Sequence, residues 1–272
     1  MPELPEVEVL SRELKNKILG CVIEAILVPE NSWLVSSRKI FESKLKGRKI
    51  LGVARRGKFL SFHCDGHLLL WFHLGMTGQL LWSPAPQPED RHIHFGIKFR
   101  ELSEPLIFRD VRKFGKVFLT NGSSNPLPDS VALLGFDPFQ ISEKDFINIF
   151  GKRKGRIKSL LLNQRLLAGL GNIYADESLF GAGIDPRKRP LWINRKGLAH
   201  LYRAVRKTLL DAIEHGGSSV DDYLHVDGSR GRYQDFHHVY GRKGASCHRC
   251  GSLIRRVVVA GRGTHFCPEC QK

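Results

Sequence analysis

Four cysteines near the end of the chain have the spacing of a metal site. They form two pairs, Cys247-x-x-Cys250 and Cys267-x-x-Cys270, separated by residues 251–266. This spacing is typical of a zinc knuckle pair. Because four thiolates complete the tetrahedral shell of the ion, the predicted zinc is structural and has no open position for water. We expect it to hold three basic residues on a rigid hairpin: Arg255, Arg256 and Arg262.

The second residue of the chain offers a different chemistry. Methionine aminopeptidase removes an initiator Met that precedes a small residue, so we expect Pro2 to carry the free amine. An α-amino group has an ordinary pKa of about 7.7 to 8, so part of it is neutral and nucleophilic at physiological pH. Its attack on a carbonyl-like carbon gives an iminium, and a helix over the next residues would lower the pKa further. The alternative interpretation is structural: Pro2 begins a helix, and Glu3 complements its dipole.

The composition points to a polyanionic partner. The 272 residues include 43 Lys and Arg against 27 Asp and Glu, a net charge of +16. Such an excess is typical of proteins that bind nucleic acid. No stretch approaches the roughly 18 apolar residues of a membrane span, and the N-terminus lacks the basic region of a signal peptide. We therefore expect a cytosolic or nucleoid-associated protein, in which Cys21 and Cys64 are ordinary buried thiols.

The hydrophobic pattern changes in the middle of the chain. Before the change it alternates in short runs, which predicts a β-sandwich or barrel with strands over residues 22–27, 59–63, 67–73, 94–99, 106–108 and 116–119. Residues 121–129 have the composition of a linker. Beyond them the spacing predicts helices over residues 143–150, 156–167, 172–180 and 196–215. Residues 218–238 are polar and only partly patterned, which favours a mobile loop over a packed element.

Two segments carry positive charge with little compensation. Residues 151–172 contain no acidic residue, and residues 38–58 contain one, Glu42. Runs of one charge are often solvated faces. Both runs, however, border glycine turns, where backbone amides and helix N-termini can approach phosphate. Asn172 would then stand at the start of a helix, where a plain N-cap is the simpler interpretation.

An ordered set of motifs resembles the bacterial formamidopyrimidine-DNA glycosylase family from end to end. The motifs are Pro2–Glu8, Arg55–Lys58, His73–Met76, Arg112–Gly115, Gly169–Glu177, Val239–Gly244 and Gly261–Cys267. The resemblance implies a multidomain α+β protein with three parts: an N-terminal catalytic β-sandwich with an opening helix (residues 1–130), a helix-two-turn-helix domain (131–235) and a zinc finger (236–272). It implies a monomer that binds double-stranded DNA containing oxidised bases between its two lobes.

The resemblance also implies a mechanism. Pro2 would attack C1′ of an oxidised purine nucleoside, and Glu3 would supply the proton that opens the sugar or helps the base to leave. The resulting Schiff base would permit β- and then δ-elimination, assisted by Lys58 and Arg262 at the phosphates. The damaged base must first leave the stack, which costs a few kcal/mol.

Further positions match family residues that contact DNA. Three of them resemble the wedge that fills the vacated space (Met76, Arg112 and Phe114), and five resemble contacts to the DNA backbone (His73, His92, Arg153, Asn172 and Tyr240). Without the motifs, Met76 and Phe114 would be assigned to the core. Two positions depart from common family forms: Ile93 removes a polar group, and Val111 is expected to loosen the turn that aims Arg112.

Three alternatives remain. The endonuclease VIII branch prefers oxidised pyrimidines, but it usually has Gly at the position of Leu4. A zinc-ribbon protein that binds nucleic acid without catalysis would need only the basic patches. An N-terminal-proline tautomerase would be much shorter and would need no zinc.

Overall fold

The computed structural model describes residues 1–29, 38–83, 90–122 and 127–272. These residues form two compact units: Met1–Ala132 with His215–Arg232, and Leu133–Glu214 with Tyr233–Lys272. Part of the predicted linker, residues 123–126, lies outside the described residues. The domain boundaries at residues 131 and 236 stay a prediction, since backbone compactness is a different criterion from family domains. In the described ranges, no helix has the length and apolar composition that crossing a bilayer requires.

The first unit contains two antiparallel sheets of four strands. Its elements are α1 (Leu4–Ile18), β1 (Ile23–Leu27), α2 (Arg38–Leu45), β2 (Ile50–Arg56), β3 (Phe59–Cys64), β4 (Leu68–His73), β5 (Gly78–Trp82), β6 (Ile93–Phe99), β7 (Leu106–Asp110), β8 (Lys116–Asn121) and the short α3 (Asp129–Ala132). The sheet orders are β1-β6-β7-β5 and β2-β3-β4-β8. The ring of Phe72 on β4 lies 5.8 Å from Phe95 and 6.1 Å from Phe108 on the other sheet. These contacts confirm the predicted sandwich, and the thiols of Cys21 and Cys64 are buried and free as expected.

The start of α1 depends on a buried carboxylate. Glu6, which is 1% exposed, accepts a hydrogen bond of 2.7 Å from the N–H of Glu3. It also accepts one of 2.8 Å from the N–H of Ser218. The proline in the first turn is Pro5, and Pro2 lies before the helix. The interpretation that Pro2 begins the helix is therefore wrong, and the position of Pro2 needs another explanation.

Four elements of this unit were not predicted: α2, α3, β2 and β5. The strand β2 could not be recognised from the hydrophobic pattern, because it ends in the basic run of residues 38–58, which has the composition of a solvated face. Arg55 on this strand is only 7% exposed, and its guanidinium lies 2.8 Å from the Glu8 carboxylate on α1. The positive charge of residues 38–58 is thus partly compensated by an acid far away in the chain.

The part of the predicted loop (residues 218–238) up to Arg232 belongs to the first unit and is anchored by buried side chains, while its mobility stays a prediction. Ser218, Tyr223 and Val226 are each less than 9% exposed. The Glu13 carboxylate on α1 contacts Nδ1 of His225, and this contact raises the pKa of the imidazole. Two glutamates of one helix, Glu6 and Glu13, therefore hold this segment through polar contacts that no hydrophobic pattern reveals.

The second unit is helical, with a C-terminal hairpin. Its elements are α4 (Glu143–Gly151), α5 (Ile157–Leu161), α6 (Asn172–Gly181), α7 (Arg195–Glu214), two 3-10 turns (Pro190–Trp192 and Tyr233–Phe236), β9 (Arg255–Val259) and β10 (Arg262–Phe266). The predicted helix over residues 156–167 is too long, because α5 ends at Leu161. Beyond it, the Gln164 side chain bonds the carbonyl of Leu170 at 2.7 Å and the N–H of Gly169 at 2.8 Å. This side chain stabilises a turn that competes with the helix.

A buried ion pair joins these helices to the hairpin. Lys158 on α5 and Asp176 on α6 are fully buried, with 2.6 Å between Nζ and Oδ1. The ammonium of Lys158 also donates to the Thr264 hydroxyl at 2.8 Å, and Asp176 Oδ2 accepts the N–H of His265 at 2.8 Å. Lys158 was counted among the uncompensated charges of residues 151–172. It is instead an internal tie to β10.

We predict that Lys158→Met destabilises the protein by about 3 to 5 kcal/mol, because it leaves the Asp176 carboxylate buried without its counter-ion. The measurement is the free energy of unfolding from denaturant titration. The matched control is Lys152→Met, which changes an exposed lysine nearby. Equal unfolding midpoints for the two variants would show that the pair does not stabilise this unit.

Candidate active site and metal centre

The N-terminal residues lie in a protected position. Pro2 is buried, Glu3 is 3% exposed, and both precede α1. With Met1 in place, the terminal amine lies 3.8 Å from the Asp221 carboxylate. Because Glu6 bonds the N–H of Glu3, the backbone at this point is held from the helix side. A carboxyl group and the residue that would carry the amine are therefore placed together.

Lys58 and His73 lie side by side at the end of the second sheet. Lys58 follows Gly57 in the turn between β2 and β3 and is 8% exposed. The next residue, Phe59, pairs with His73 across β3 and β4, and their rings are 4.6 Å apart. Burial, helped by the positive charges of Lys58 and Lys116, lowers the pKa of His73 to about 4. His73 is therefore neutral at pH 7 and can act there as a hydrogen-bonding group.

This turn is tied to the first turns of α1. The guanidinium of Arg55 bridges the Glu8 carboxylate on α1 and, at 3.4 Å, the carbonyl of Gly57 beside Lys58. Although burial of Glu8 opposes its charge, hydrogen bonds from Arg55 and Arg12 hold the pKa of this carboxyl below its usual range. Glu8 lies in the opening motif, but nothing in the sequence indicates its distant partner. Its ion pair with Arg55 links the N-terminal segment to the Lys58 turn.

Two exposed turns bring Met76, Arg112 and Phe114 into one group. Met76 is 39% exposed and Phe114 is 52% exposed, so the assignment of these residues to the core is wrong. The Arg112 guanidinium lies 4.9 Å from the centre of the Phe114 ring. Gly75 has φ of 62°, and a Cβ on it would lie 2.5 Å from the Phe114 carbonyl carbon. Only glycine therefore permits the turn before Met76 to pack so closely against Phe114.

The fully buried carboxylate of Asp110 shapes the second of these turns. Asp110 accepts the N–H of Gly115 at 2.7 Å, the N–H of Arg112 at 3.2 Å and the hydroxyl of Thr77. Asp110 thus helps to fix the path of the turn, and the loosening expected from Val111 stays a prediction. The backbone of His92 joins this group, because its carbonyl accepts the N–H of Asp110 at 2.8 Å.

Two more predicted residues lie near the hairpin of the second unit. Asn172 is the first residue of α6, and its cap is Gly171, so the plain N-cap interpretation is wrong. Its amide donates to the carbonyl of Gly263 at 3.0 Å, next to the exposed Arg262. The Tyr240 ring lies 5.2 Å from the His265 ring on the same hairpin. Arg153 is exposed in the turn after α4, and no described contact joins it to this group.

A glutamate that the sequence analysis left without a role holds Tyr240 in place. The buried Glu177 accepts the N–H of Tyr240 at 2.8 Å and those of His238 and Val239 at 2.9 Å each. Although burial opposes its charge, these bonds and the His238 side chain hold the pKa of Glu177 below its usual range. The place of Glu177 in the motif Gly169–Glu177 indicated that it has a role. The role itself could not be predicted, because its hydrogen-bond partners lie 61 to 63 positions later in the chain.

The four cysteines fit a zinc ion. Their Sγ atoms all lie within 4.8 Å of one another. Cys247 Sγ is 3.9 Å from Cys270 Sγ, and Cys250 Sγ is 3.5 Å from Cys267 Sγ. A tetrahedral ion with Zn–S bonds of about 2.3 Å requires S–S distances of about 3.8 Å. The four thiolates therefore form a closed structural site, and β9 and β10 form the predicted hairpin beside it.

Three family models match successive parts of the chain. The formamidopyrimidine-DNA glycosylase N-terminal domain matches residues 1–117. The H2TH domain of the same glycosylase matches residues 134–223, and the zinc finger found in FPG and IleRS matches residues 246–272. The formamidopyrimidine-DNA glycosylase of Solibacter usitatus is 42% identical, with 100% of both chains aligned. That of Bacillus subtilis is 37% identical, covering 100% of this chain and 99% of its own length.

Solved structures show the same similarity. A Lactococcus lactis FPG mutant in complex with Fapy-dG containing DNA aligns with a TM-score of 0.90 and 37% identity, covering 100% of both chains. The MutM (FPG) protein from Thermus thermophilus aligns with a TM-score of 0.87 and 38% identity, covering 99% of this chain and 98% of its own.

Removing a zinc ligand should unfold the hairpin and release the ion. We predict that Cys250→Ser lowers the zinc content from one ion per chain towards zero, because three thiolates leave the shell open. The measurement is metal analysis of the purified protein, with Cys21→Ser as the control thiol. A Cys250 variant with full zinc content would contradict the four-cysteine site.

His73 should stay neutral in mildly acidic solution, down to a pH near its lowered pKa of about 4. Its pKa in the folded protein lies below the unfolded value of about 6.5, so the folded state disfavours its protonation. The corresponding stability is present above about pH 6.5 and is lost as the pH falls towards 4. NMR titration of the ring should show a pKa well below 6.5, and Lys116→Met should raise it. A His73 signal that titrates near 6.5 in the folded protein would contradict this assignment.

Proposed function

Because the chain belongs to the formamidopyrimidine-DNA glycosylase family, we propose that it excises oxidised purines from double-stranded DNA. The substrates are 8-oxoguanine and formamidopyrimidines, and the protein is both a glycosylase and an AP lyase of base-excision repair. The observation that carries the proposal is the pairing of the buried Pro2 and Glu3 in front of α1. The Glu3 carboxyl group also caps α1 in a capping box with Glu6, and its place beside the terminal amine is what lets it supply a proton to the reaction.

The reaction begins with the nucleophile. The neutral amine of Pro2 attacks C1′ of the damaged nucleoside, and the bond from C1′ to the base breaks. Glu3 supplies the proton that opens the sugar or accompanies the leaving base. The product is a protonated Schiff base between Pro2 and C1′. Helix α1 contributes the positive end of its dipole, which favours the neutral amine.

The Schiff base then permits cleavage of the backbone. Its iminium acidifies the proton on C2′, and loss of this proton expels the 3′ phosphate in a β-elimination. A second, δ-elimination expels the 5′ phosphate, and hydrolysis releases the sugar remnant. Lys58 and Arg262 bind the phosphates that leave, and their positive charge stabilises the developing anions. The burial of Lys58 and the exposure of Arg262 on the hairpin are compatible with these roles.

Recognition of DNA falls to the remaining predicted residues. Met76 and Phe114 project from exposed turns, where they can enter the space that the extruded base leaves. Arg112 lies against Phe114 and can meet the orphaned partner base. The phosphate contacts come from His73, His92, Arg153, Asn172 and Tyr240. Because His73 is neutral, it acts by hydrogen bonding and not as a counter-ion.

The rest of the assignment follows from this activity. One structural zinc supports the hairpin that carries Arg262. The protein acts as a monomer on DNA in the cytoplasm, in association with the nucleoid. The net charge of +16 favours binding to DNA, because basic side chains neutralise the phosphates of the backbone.

The proposed function predicts that untagged protein cuts a duplex carrying 8-oxoguanine opposite cytosine and leaves phosphate at both ends of a one-nucleotide gap. Glu3→Gln should lower base release by about 10² to 10⁴-fold, while incision of a preformed abasic site is retained because no base must leave. The measurement is gel analysis of the cleaved strands. The matched control is Glu24→Gln, which changes a carboxylate on β1 that is 44% exposed.

Two outcomes would contradict the proposal. An active protein that retains Met1 or an N-terminal tag would exclude a free Pro2 amine. Tight binding of the lesion duplex without cutting either this duplex or an abasic one would favour a binding protein without catalysis.

A further inference from the structure

A basic pocket lies in the second unit, outside the residues to which the proposed function gives a role. It has a volume of about 690 Å³ and is lined by Lys154, Gly155, Arg156, Arg187, Arg189, Leu191 and Trp192. We call it the Trp192 pocket. It combines cations from the turn before α5 with apolar side chains from the 3-10 turn Pro190–Trp192.

The backbone holds both walls of the Trp192 pocket in place. The N–H of Ile157, which begins α5, donates to the carbonyl of Lys188 at 2.7 Å. The 3-10 turn closes on itself, because the N–H of Trp192 donates to the carbonyl of Arg189 at 2.9 Å. Gly155 has φ of 108°, which lets the chain turn between Lys154 and Arg156. The pocket is therefore formed before any ligand binds, which lowers the entropy cost of binding.

The Trp192 pocket carries a strong positive charge. Its described lining contains no carboxylate. One lining cation, Arg187, pairs with Asp185 and lies 4.8 Å from the Phe266 ring. Among the described residues, none forms an ion pair with Lys154, Arg156 or Arg189, and all three are exposed. Three cations so placed favour an anionic ligand with several charges.

The apolar wall of the pocket is unusually exposed. Trp192 is 67% exposed and Leu191 is 62% exposed. The guanidinium of Arg189 lies 5.5 Å from the centre of the Trp192 ring, so a cation and an aromatic face are presented together. Basic grooves with aromatic platforms bind unpaired nucleic acid, because the cations follow the phosphates while bases stack on the rings.

We propose that the Trp192 pocket binds single-stranded DNA, with Trp192 stacking on an unpaired base and with Lys154, Arg156 and Arg189 contacting adjacent phosphates. A duplex keeps its bases stacked on one another and offers no face to Trp192 except at its ends. An acidic peptide would satisfy the cations but would leave the indole ring without a planar partner. The pocket requires neither a lesion nor the Pro2 amine, so it stands apart from the excision chemistry.

The test is binding of a lesion-free oligothymidine by the full-length, zinc-loaded protein, measured by fluorescence anisotropy and by quenching of tryptophan emission. We expect Trp192→Ala to weaken binding by about 10-fold, as loss of one stacked base does. Trp192→Phe should retain most of the affinity, because it keeps an aromatic face. The triple variant Lys154→Ala, Arg156→Ala and Arg189→Ala should reduce the slope of log K against log salt by about 2.

The control variant Lys196→Ala with Lys207→Ala removes two exposed cations of α7 that lie outside the Trp192 pocket. It should leave the effect of Trp192→Ala unchanged. Equal affinity of the wild type and Trp192→Ala for oligothymidine would overturn the proposal. So would binding of polyglutamate, lost in the triple variant, by a protein that does not bind the oligonucleotide. All substituted side chains are exposed, and unchanged thermal unfolding of the variants will show that the fold is retained.

Discussion

The buried carboxylate of Glu6 is the contact on which the proposed active site depends. It accepts hydrogen bonds from the backbone of Glu3, at the start of α1, and of Ser218, more than 200 residues later in the chain. A buried charge without such donors would cost several kcal/mol, so both segments are held where they can satisfy it. Because Pro2 precedes this point directly, the position of the nucleophile is set by the solvation of a neighbouring acid.

In the second unit, buried carboxylates on α6 also obtain their hydrogen-bond donors from distant segments. Asp176 and Glu177 are adjacent and buried, and each takes backbone N–H groups from a different segment near the zinc cysteines. Asp176 holds His265 on β10 with the help of Lys158, and Glu177 holds Tyr240. The zinc ion ties the hairpin at the same end, because Cys267 directly follows β10. The exposed Arg262 is thus carried by a strand that is fixed through charge as well as through metal.

Local patterns in the sequence predicted the parts of the molecule that local physics determines. Cysteine spacing predicted the zinc site, and alternating hydrophobicity predicted most strands of the sandwich. The failures occurred where a distant partner decides the outcome. Arg55 was taken for surface charge because Glu8 lies 47 positions away, and Lys158 was misjudged in the same way. The helix predicted beyond Leu161 does not form, because the side chain of Gln164 makes hydrogen bonds that stabilise a turn there. The exposure of Met76 and Phe114 was indicated by the motifs and not by the hydrophobicity.

In the proposed reaction, the amine of Pro2 forms a covalent bond with the sugar of the damaged nucleotide. Borohydride reduction of untagged protein on a duplex with 8-oxoguanine opposite cytosine, followed by mass mapping of the peptide linked to DNA, would identify this bond. We expect a single adduct on the N-terminal peptide, at Pro2. An adduct at Lys58 or another lysine would contradict this reaction, as would the absence of any adduct on an abasic duplex.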